Sequence, residues 1–464
     1  MEITYLGLIF FPVGLGLLVI SERWLYWATI FFIPFTASSL INFTSGFWLS
    51  PFNFFSGLWF LRYSLTLLFF NHKFQRSDYF FCAFFFTVIG SQVMPIYING
   101  DLFIKDTLLT DGKGPLFFSS RNITVPFYIF YGLIFASLLS ARNSNFYCLK
   151  ETLRVYVFSA LFVSVFGIFQ FICNLTDTEY PYFIFNNSLN PVAQGYSQIL
   201  SGLHQEYSRV SSTASEPSVL AQFLIPVLPI VLLAILSKQY ILTKVLDLFV
   251  LITIIFVLIV STSGTAYFGL ILSSLAVPLI ARIYLKNVRR VTDILLAINL
   301  LVLFLTYLFL KSYLNDFLID KFIHGSGEER MMTIKYCLSY FIDYPFFGIG
   351  WGSSSSNDLL VQLLASSGLT GLCIFLLMTI YLIVGLSRAL FGFYFIHRSS
   401  PVEFIGPYSV GILISFLLTL AVHQLSGFNY GYGYFWMSIG LAVAAKSCLR
   451  KSMLNNSNSI FLHS

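Results

Sequence analysis

The chain has 464 residues, of which 57% are hydrophobic and only 10% charged, against roughly 25% charged in an ordinary soluble protein. With a mean hydropathy of +0.81, it carries more apolar surface than a water-soluble fold can bury, so lipid must solvate it. The net charge of +6 does not signal nucleic acid, because no basic run is dense enough for a polyanion-binding patch.

A spanning helix needs about 20 mostly apolar residues. In chain order the candidate runs are 4–20, 24–42, 52–70, 79–98, 124–140, 153–173, 217–236, 245–262, 264–281, 294–311, 358–386, 404–422 and 428–445. They predict an all-α polytopic membrane protein, a single integral domain over 1–464 with about 13 transmembrane helices. The first run starts near Tyr5 without a basic segment before it and reads as a retained helix rather than a cleaved leader. The six cysteines are scattered and include no CxxC, so they read as packing residues.

The short loops set orientation. Lys73 and Arg76 share one; Arg142, Lys150 and Arg154 lie in or beside a second. Lys238 and Lys244 mark a third, and Arg282, Lys286, Arg289 and Arg290 a fourth. Arg388 and Arg398 follow, then Lys446, Arg450 and Lys451. With the spans above, all of these fall on one side, which the positive-inside rule makes the cytoplasm. The amino terminus is then outside, and the outer face receives 99–123 and two large loops, 174–216 and 312–357. Loops of that length are usually functional or disordered. Their aromatic residues and short amphipathic pieces such as NDFLIDKFI (315–323) predict order.

The residues suited to chemistry lie in those two loops. In HQEYSRVSSTASEPSVLA (204–221), Arg209 and Tyr207 precede Glu216-Pro217, where the next apolar run begins. Ser215 is the expected N-cap, with Glu216 in the first turn, where a carboxylate suits the helix dipole. An ordinary helix cap accounts for Glu216 equally well, and a solvated loop charge is the lesser reading of Arg209. In the later loop, Arg330 opens a stretch with Met331, Ile334, Leu338, Phe341 and Ile342 at helical spacing, and Pro345 ends it. GIGWG (348–352) reads as a flexible, close-approach turn. Asn357 or a preceding serine is the expected cap of the long helix that follows. Gly368 and Gly371 in that helix suggest tight helix packing.

Arg62 lies inside FNFFSGLWFLRYSLTLLFF (52–70). A charge there is costly; it either points into the bundle to bind phosphate or reaches lipid headgroups. His204 and His324 sit in outer loops, where a histidine is either a proton acceptor or simply solvated. Asp177-Thr178-Glu179, beside Pro181, is the nearest approach to a DxD metal motif and reads as a turn, so no metal is expected.

The order arginine, short helix, proline, GIGWG, polar residues, Asn357 and an apolar helix with GLTG (368–371) resembles the O-antigen polymerase and O-antigen ligase superfamily. The 209–221 segment is similar to that family's other outer-loop arginine with its Glu-Pro-Ser helix start. The resemblance implies a GT-C-like helical bundle that transfers glycosyl groups at the periplasmic face of a bacterial inner membrane. Donor and acceptor would be undecaprenyl-diphosphate-linked glycans, with no cofactor, and a chain-length regulator is a possible partner. Arg209, Arg330 and Glu216 are then the expected catalytic residues; Arg62, His324, Asn357 and Tyr207 are expected to bind substrate. Arginine suits a lipid diphosphate leaving group because it is always charged, planar and bidentate. Glu216 is the first choice of base and His324 the second. Ligase members commonly carry a histidine where this chain has Ser356, which favours polymerase over ligase. A flippase is the alternative from another class, but transporters place polar groups within the helices, and here they concentrate in outer loops.

Overall fold

The computed structural model describes residues 1–43, 48–69, 75–105, 113–189, 199–202, 205–302, 304–305, 308, 326–396, 405–427 and 430–461. Helices α1 (Tyr5–Ile20) and α2 (Glu22–Phe31) start on the hydroxyls of Thr4 and Ser21, which accept first-turn amides. They are followed by α3 (Pro51–Phe69), α4 (Arg76–Ser91), α5 (Val93–Ile98), α6 (Arg121–Arg142), α7 (Phe146–Leu175) and the short α8 (Tyr182–Phe185). The next helices are α9 (Pro217–Leu224), α10 (Val227–Leu236), α11 (Lys244–Val260), α12 (Gly264–Tyr284) and α13 over 289–302. The chain closes with α14 (Ser326–Asp343), α15 (Leu359–Ile396), α16 (Ile405–Ser426) and α17 (Gly433–Phe461). Three small antiparallel ladders join the connections: β1 (Glu2–Ile3), β2 (Ile41–Asn42) and β3 (Trp48–Leu49); β4 (Phe103–Lys105) and β5 (Lys113–Pro115); β6 (Ile199–Gly202) and β7 (Gln205–Ser208).

Seven helical stretches among the described residues are long and apolar enough to cross a membrane: Arg76–Ile98, Arg121–Arg142, Phe146–Leu175, Pro217–Leu236, Gly264–Tyr284, Leu359–Ile396 and Ile405–Ser426. The chain is therefore an all-α, multi-pass membrane protein. Pro217–Leu236 and Ile405–Ser426 are 83% buried inside the protein, against 33–50% for the others, so they form the centre around which the rest pack.

Described basic residues from several of the basic loops meet at one end of the bundle; Lys73 and Arg398 lie outside the described residues. Arg142 Nε lies 3.4 Å from Glu22 Oε1, and Arg154 Nε donates to Ile241 O at 3.0 Å. Lys451 Nζ donates to Ser144 Oγ at 3.1 Å. The opposite end is tied by backbone bonds between distant segments: the Ala37 amide donates to Thr213 O, and the Ser188 amide to Ala37 O.

The expected span 24–42 is helical only to Phe31. Its ten residues reach about 15 Å, half the hydrocarbon thickness. Pro34 disfavours helix before it, and hydroxyls beyond it are committed elsewhere: Thr36 Oγ1 accepts the Ser215 amide at 2.9 Å, and Ser38 Oγ donates to Phe185 O at 2.5 Å. The irregular chain is tolerated because it is buried in protein rather than lipid.

Gly368 does something other than pack helices together. Gly368 sits at φ 62°, ψ −161°, breaking α15. The Leu369 and Thr370 amides turn away to Pro345 O (2.8 Å) and Phe346 O (3.3 Å). The carbonyls freed in the turn before, Ala365 and Ser366, accept from the Ile349 (2.8 Å) and Gly350 (3.1 Å) amides. The GIGWG segment is thus the replacement partner for the interrupted helix. It is buried from Gly348 to Trp351 and packed, not the flexible turn expected from its glycines.

A Cβ at Gly368 would lie 2.4 Å from the Phe346 carbonyl, in a backbone region open essentially to glycine alone. Gly368→Ala is expected to lower stability by about 3 kcal/mol, measured as a reduced unfolding midpoint in detergent. Gly90→Ala, where a Cβ meets nothing within 4 Å, is the matched helix control and should be neutral or stabilising.

Candidate functional site

A cavity of about 420 Å³ opens at the end away from the basic loops. It lies among the 33–36 segment, the start of α3, the 355–357 turn, and the junction of α16 with α17. The rings of Trp48, Tyr128, Tyr430 and Tyr432 line it, with the amides of Asn53 and Asn357. No charged side chain lines it among the described residues. Flat apolar faces interleaved with neutral donors and acceptors suit a polyhydroxylated ring better than an ion.

Local bonds fix these groups. Gln362, in the first turn of α15, donates to Ser354 O at 3.1 Å and to Ser366 Oγ at 2.7 Å, and accepts the Ser356 amide. It therefore holds the 354–357 turn against the break at Gly368. Asn122 does the same from α6, donating to Trp351 O at 2.8 Å and Ser353 Oγ at 2.9 Å. Tyr432 shares a hydrogen bond with Ser215 Oγ at 3.0 Å. Burial pushes the Tyr432 phenol up to about 12, so it keeps its proton at neutral pH.

Beside this cavity lie the charged groups. Glu216 itself is the N-cap of α9, extended at φ −152°, ψ 156°, with Pro217 at the first helical position. Ser215, the expected cap, is instead tied to Thr36 and Tyr432. Ser218 Oγ donates to Glu216 Oε2 at 2.9 Å, and the carboxylate remains half-buried. Arg209 is also half-buried. Burial lowers its guanidinium below the ordinary value; Glu216 opposes that, and Arg330 lowers it further. Arg209, Glu216 and Arg330 therefore lie within electrostatic reach of one another, although they come from two different loops. Arg330, on α14, donates to Leu425 O at 2.9 Å. That carbonyl is in the last turn of α16, where the helix dipole favours a cation. Two neighbouring arginines with one carboxylate leave net positive charge, an arrangement suited to a diphosphate.

Of the other expected site residues, Asn357 lines the cavity. It does not cap α15: Asp358 Oδ1 accepts the Val361 amide at 2.9 Å, and a carboxylate outcompetes the neighbouring amide for that place. Tyr207 pairs through its backbone with Leu200 across β6 and β7, one residue before the strand ends beside Arg209. Its side chain, His204, His324 and the NDFLIDKFI piece lie outside the described residues. Asp177 occupies a left-handed turn, φ 50°.

Arg62 does not join the arginine pair. It lies about 14 Å along α3 from the cavity-lining Asn53, toward the basic end. There its guanidinium donates to Leu17 O at 3.3 Å and to Leu18 O, closing the C-terminus of α1. One turn earlier, Trp59 Nε1 donates to Glu22 Oε1 at 2.8 Å, which marks the same level. A cation inside an apolar helix is explained by these exposed carbonyls.

Gln222, Gln362 and Tyr432 did not stand out in the sequence. The two glutamines carried a signal, a lone amide inside an apolar run, which must find partners when buried. Gln222 donates to Ser426 O and Gly427 O, both at 3.3 Å, and accepts from the Tyr434 hydroxyl, fastening α9 to the cavity wall.

No protein-family model matches the chain, and no curated protein matches it. Arg62→Leu should lower stability by about 2 kcal/mol, the scale of a lost charge-assisted hydrogen bond. Detergent melting of the purified variant beside wild type measures the loss.

Proposed function

We propose that this protein polymerises oligosaccharide repeat units carried on undecaprenyl diphosphate, as an O-antigen or exopolysaccharide polymerase of a bacterial inner membrane. The supporting observation is the meeting of Arg209, Glu216 and Arg330 beside an uncharged cavity lined by rings and amides. In this reading the chain crosses the membrane about 13 times, with the basic end in the cytoplasm and the cavity at the periplasmic face. Charge asymmetry between the loops supports that orientation.

Glu216 accepts the proton of the acceptor sugar hydroxyl as its oxygen attacks the donor's anomeric carbon. The bond from that carbon to the diphosphate breaks, and the electron pair leaves on the phosphate oxygen. Arg209 and Arg330 stabilise the growing charge, so the site acts most strongly where charge develops. Tyr430, Tyr432 and Trp48 offer faces for the sugar rings, and Asn53 and Asn357 hydrogen bonds to hydroxyls. A chain-length regulator would set when transfer stops. Arg209, Glu216 and Arg330 lie at one end, not midway along the spans, which favours transfer chemistry over transport. Ser356 in place of the ligases' histidine favours polymerase over ligase.

In a strain lacking the gene, wild type restores a surface-glycan ladder. Arg209→Ala, Arg330→Ala or Glu216→Gln at matched expression should cut polymer on the order of a hundredfold, leaving a single repeat on lipid A core. Loss of all surface glycan, with long polymer still on the lipid carrier, would make it a ligase. An unchanged ladder with every variant would overturn the assignment.

A further inference from the structure

At the basic end, a second cavity of about 750 Å³ lies between the start of α4, the α6–α7 turn and the last part of α17. Arg76, Lys446, Arg450 and Lys451 all line it, and no acidic side chain does among the described residues. Asp78, close by in the first turn of α4, is committed: its carboxylate accepts the Gln75 amide and Ser137 Oγ, both at 2.8 Å. Lys446 is only 5% exposed, with Nζ 4.0 Å from the Tyr381 ring centroid. Arg76 and Arg450 are near enough to press on its charge. Like charges gathered around a partly dry space repel, and an anion between them relieves that cost.

A second observation is independent of the cations. Ser77 lines the cavity and is 2% exposed, and among the described residues its buried Oγ has no hydrogen-bond partner. A buried hydroxyl of that kind calls for an acceptor. It sits in the first turn of α4. The cavity lies where α4, α6 and α7 begin or end, the level of lipid headgroups, and the rings of Tyr63 and Tyr381 form its remaining wall. Tyrosine belongs at that interface.

We propose that this cavity binds the phosphate headgroup of an anionic phospholipid in the leaflet facing the basic end. The phosphate oxygens accept from Ser77 and are held by the cations; the glycerol and first methylenes lie against the two tyrosines. This site is separate from the glycosyl-transfer proposal and stands or falls without it.

The test uses the full chain in nanodiscs of phosphatidylcholine doped with phosphatidylglycerol, followed by stepwise delipidation and native mass spectrometry. Wild type should retain phosphatidylglycerol in preference to phosphatidylcholine. Arg450→Gln and Lys451→Gln, both at exposed positions, should each weaken retention roughly fivefold, and Ser77→Ala should weaken it too. Lys286→Gln, a basic residue outside the cavity, should leave it unchanged. Excess inorganic phosphate should not displace the lipid. Equal retention of both lipids, retention unaffected in the Arg450 and Lys451 variants, or displacement by inorganic phosphate would overturn the proposal.

Discussion

A backbone amide or carbonyl inside a membrane has no water to fall back on, and that constraint organises the functional end of this protein. Helix α15 breaks at Gly368, and the break strands two carbonyls and two amides. The segment 345–350 supplies a partner for each: Ile349 and Gly350 donate to Ala365 and Ser366, while Pro345 and Phe346 accept from Leu369 and Thr370. The exchange fixes the course of the chain from Pro345 onward. It thereby sets the position of Trp351, of the serine turn, and of Asn357 at the cavity. Gln362 and Asn122 add side-chain bonds to the same turn, so the cavity wall is locked from both α15 and α6.

The two ends of the bundle solve opposite electrostatic problems. At the basic end, many cations are balanced by a few acids in shared pairs, as where Glu22 and Glu151 both approach Arg142. Arg76, Lys446, Arg450 and Lys451, which form no ion pair among the described residues, gather around a cavity. At the other end, charge is sparse and deliberately placed. Arg209 and Arg330 approach each other despite repulsion, with Glu216 alongside. The cavity beside them is neutral; in the proposed function it takes the sugar while the arginines take the diphosphate.

Much of the architecture was legible in the sequence because lipid demands long apolar runs. The helices over 121–142, 146–175, 217–236 and 405–426 follow that signal closely. The segment 24–42 misled, because threonine, serine and proline among apolar residues still pass a hydropathy reading while their hydroxyls hold an extended chain. Helix starts were misplaced by one residue at Glu216 and Asp358, since each follows another residue capable of capping. Arg62 was visible as an anomaly, but its partners, the carbonyls ending α1, carry no side-chain signature. The convergence of Arg209 with Arg330 was expected only through a resemblance; nothing in their spacing brings two outer loops together.

The central claim is that the end bearing Arg209, Arg330 and Glu216 breaks a sugar–diphosphate bond and makes a sugar–sugar bond. The most direct measurement is reconstitution of the purified protein with a synthetic polyprenyl-diphosphate oligosaccharide repeat, with products resolved by mass spectrometry. The account predicts carrier lipids bearing two and more repeats, with one free polyprenyl diphosphate released for each linkage formed. Folded protein that leaves every carrier with a single repeat, or that moves the substrate across the bilayer without changing it, would contradict the account.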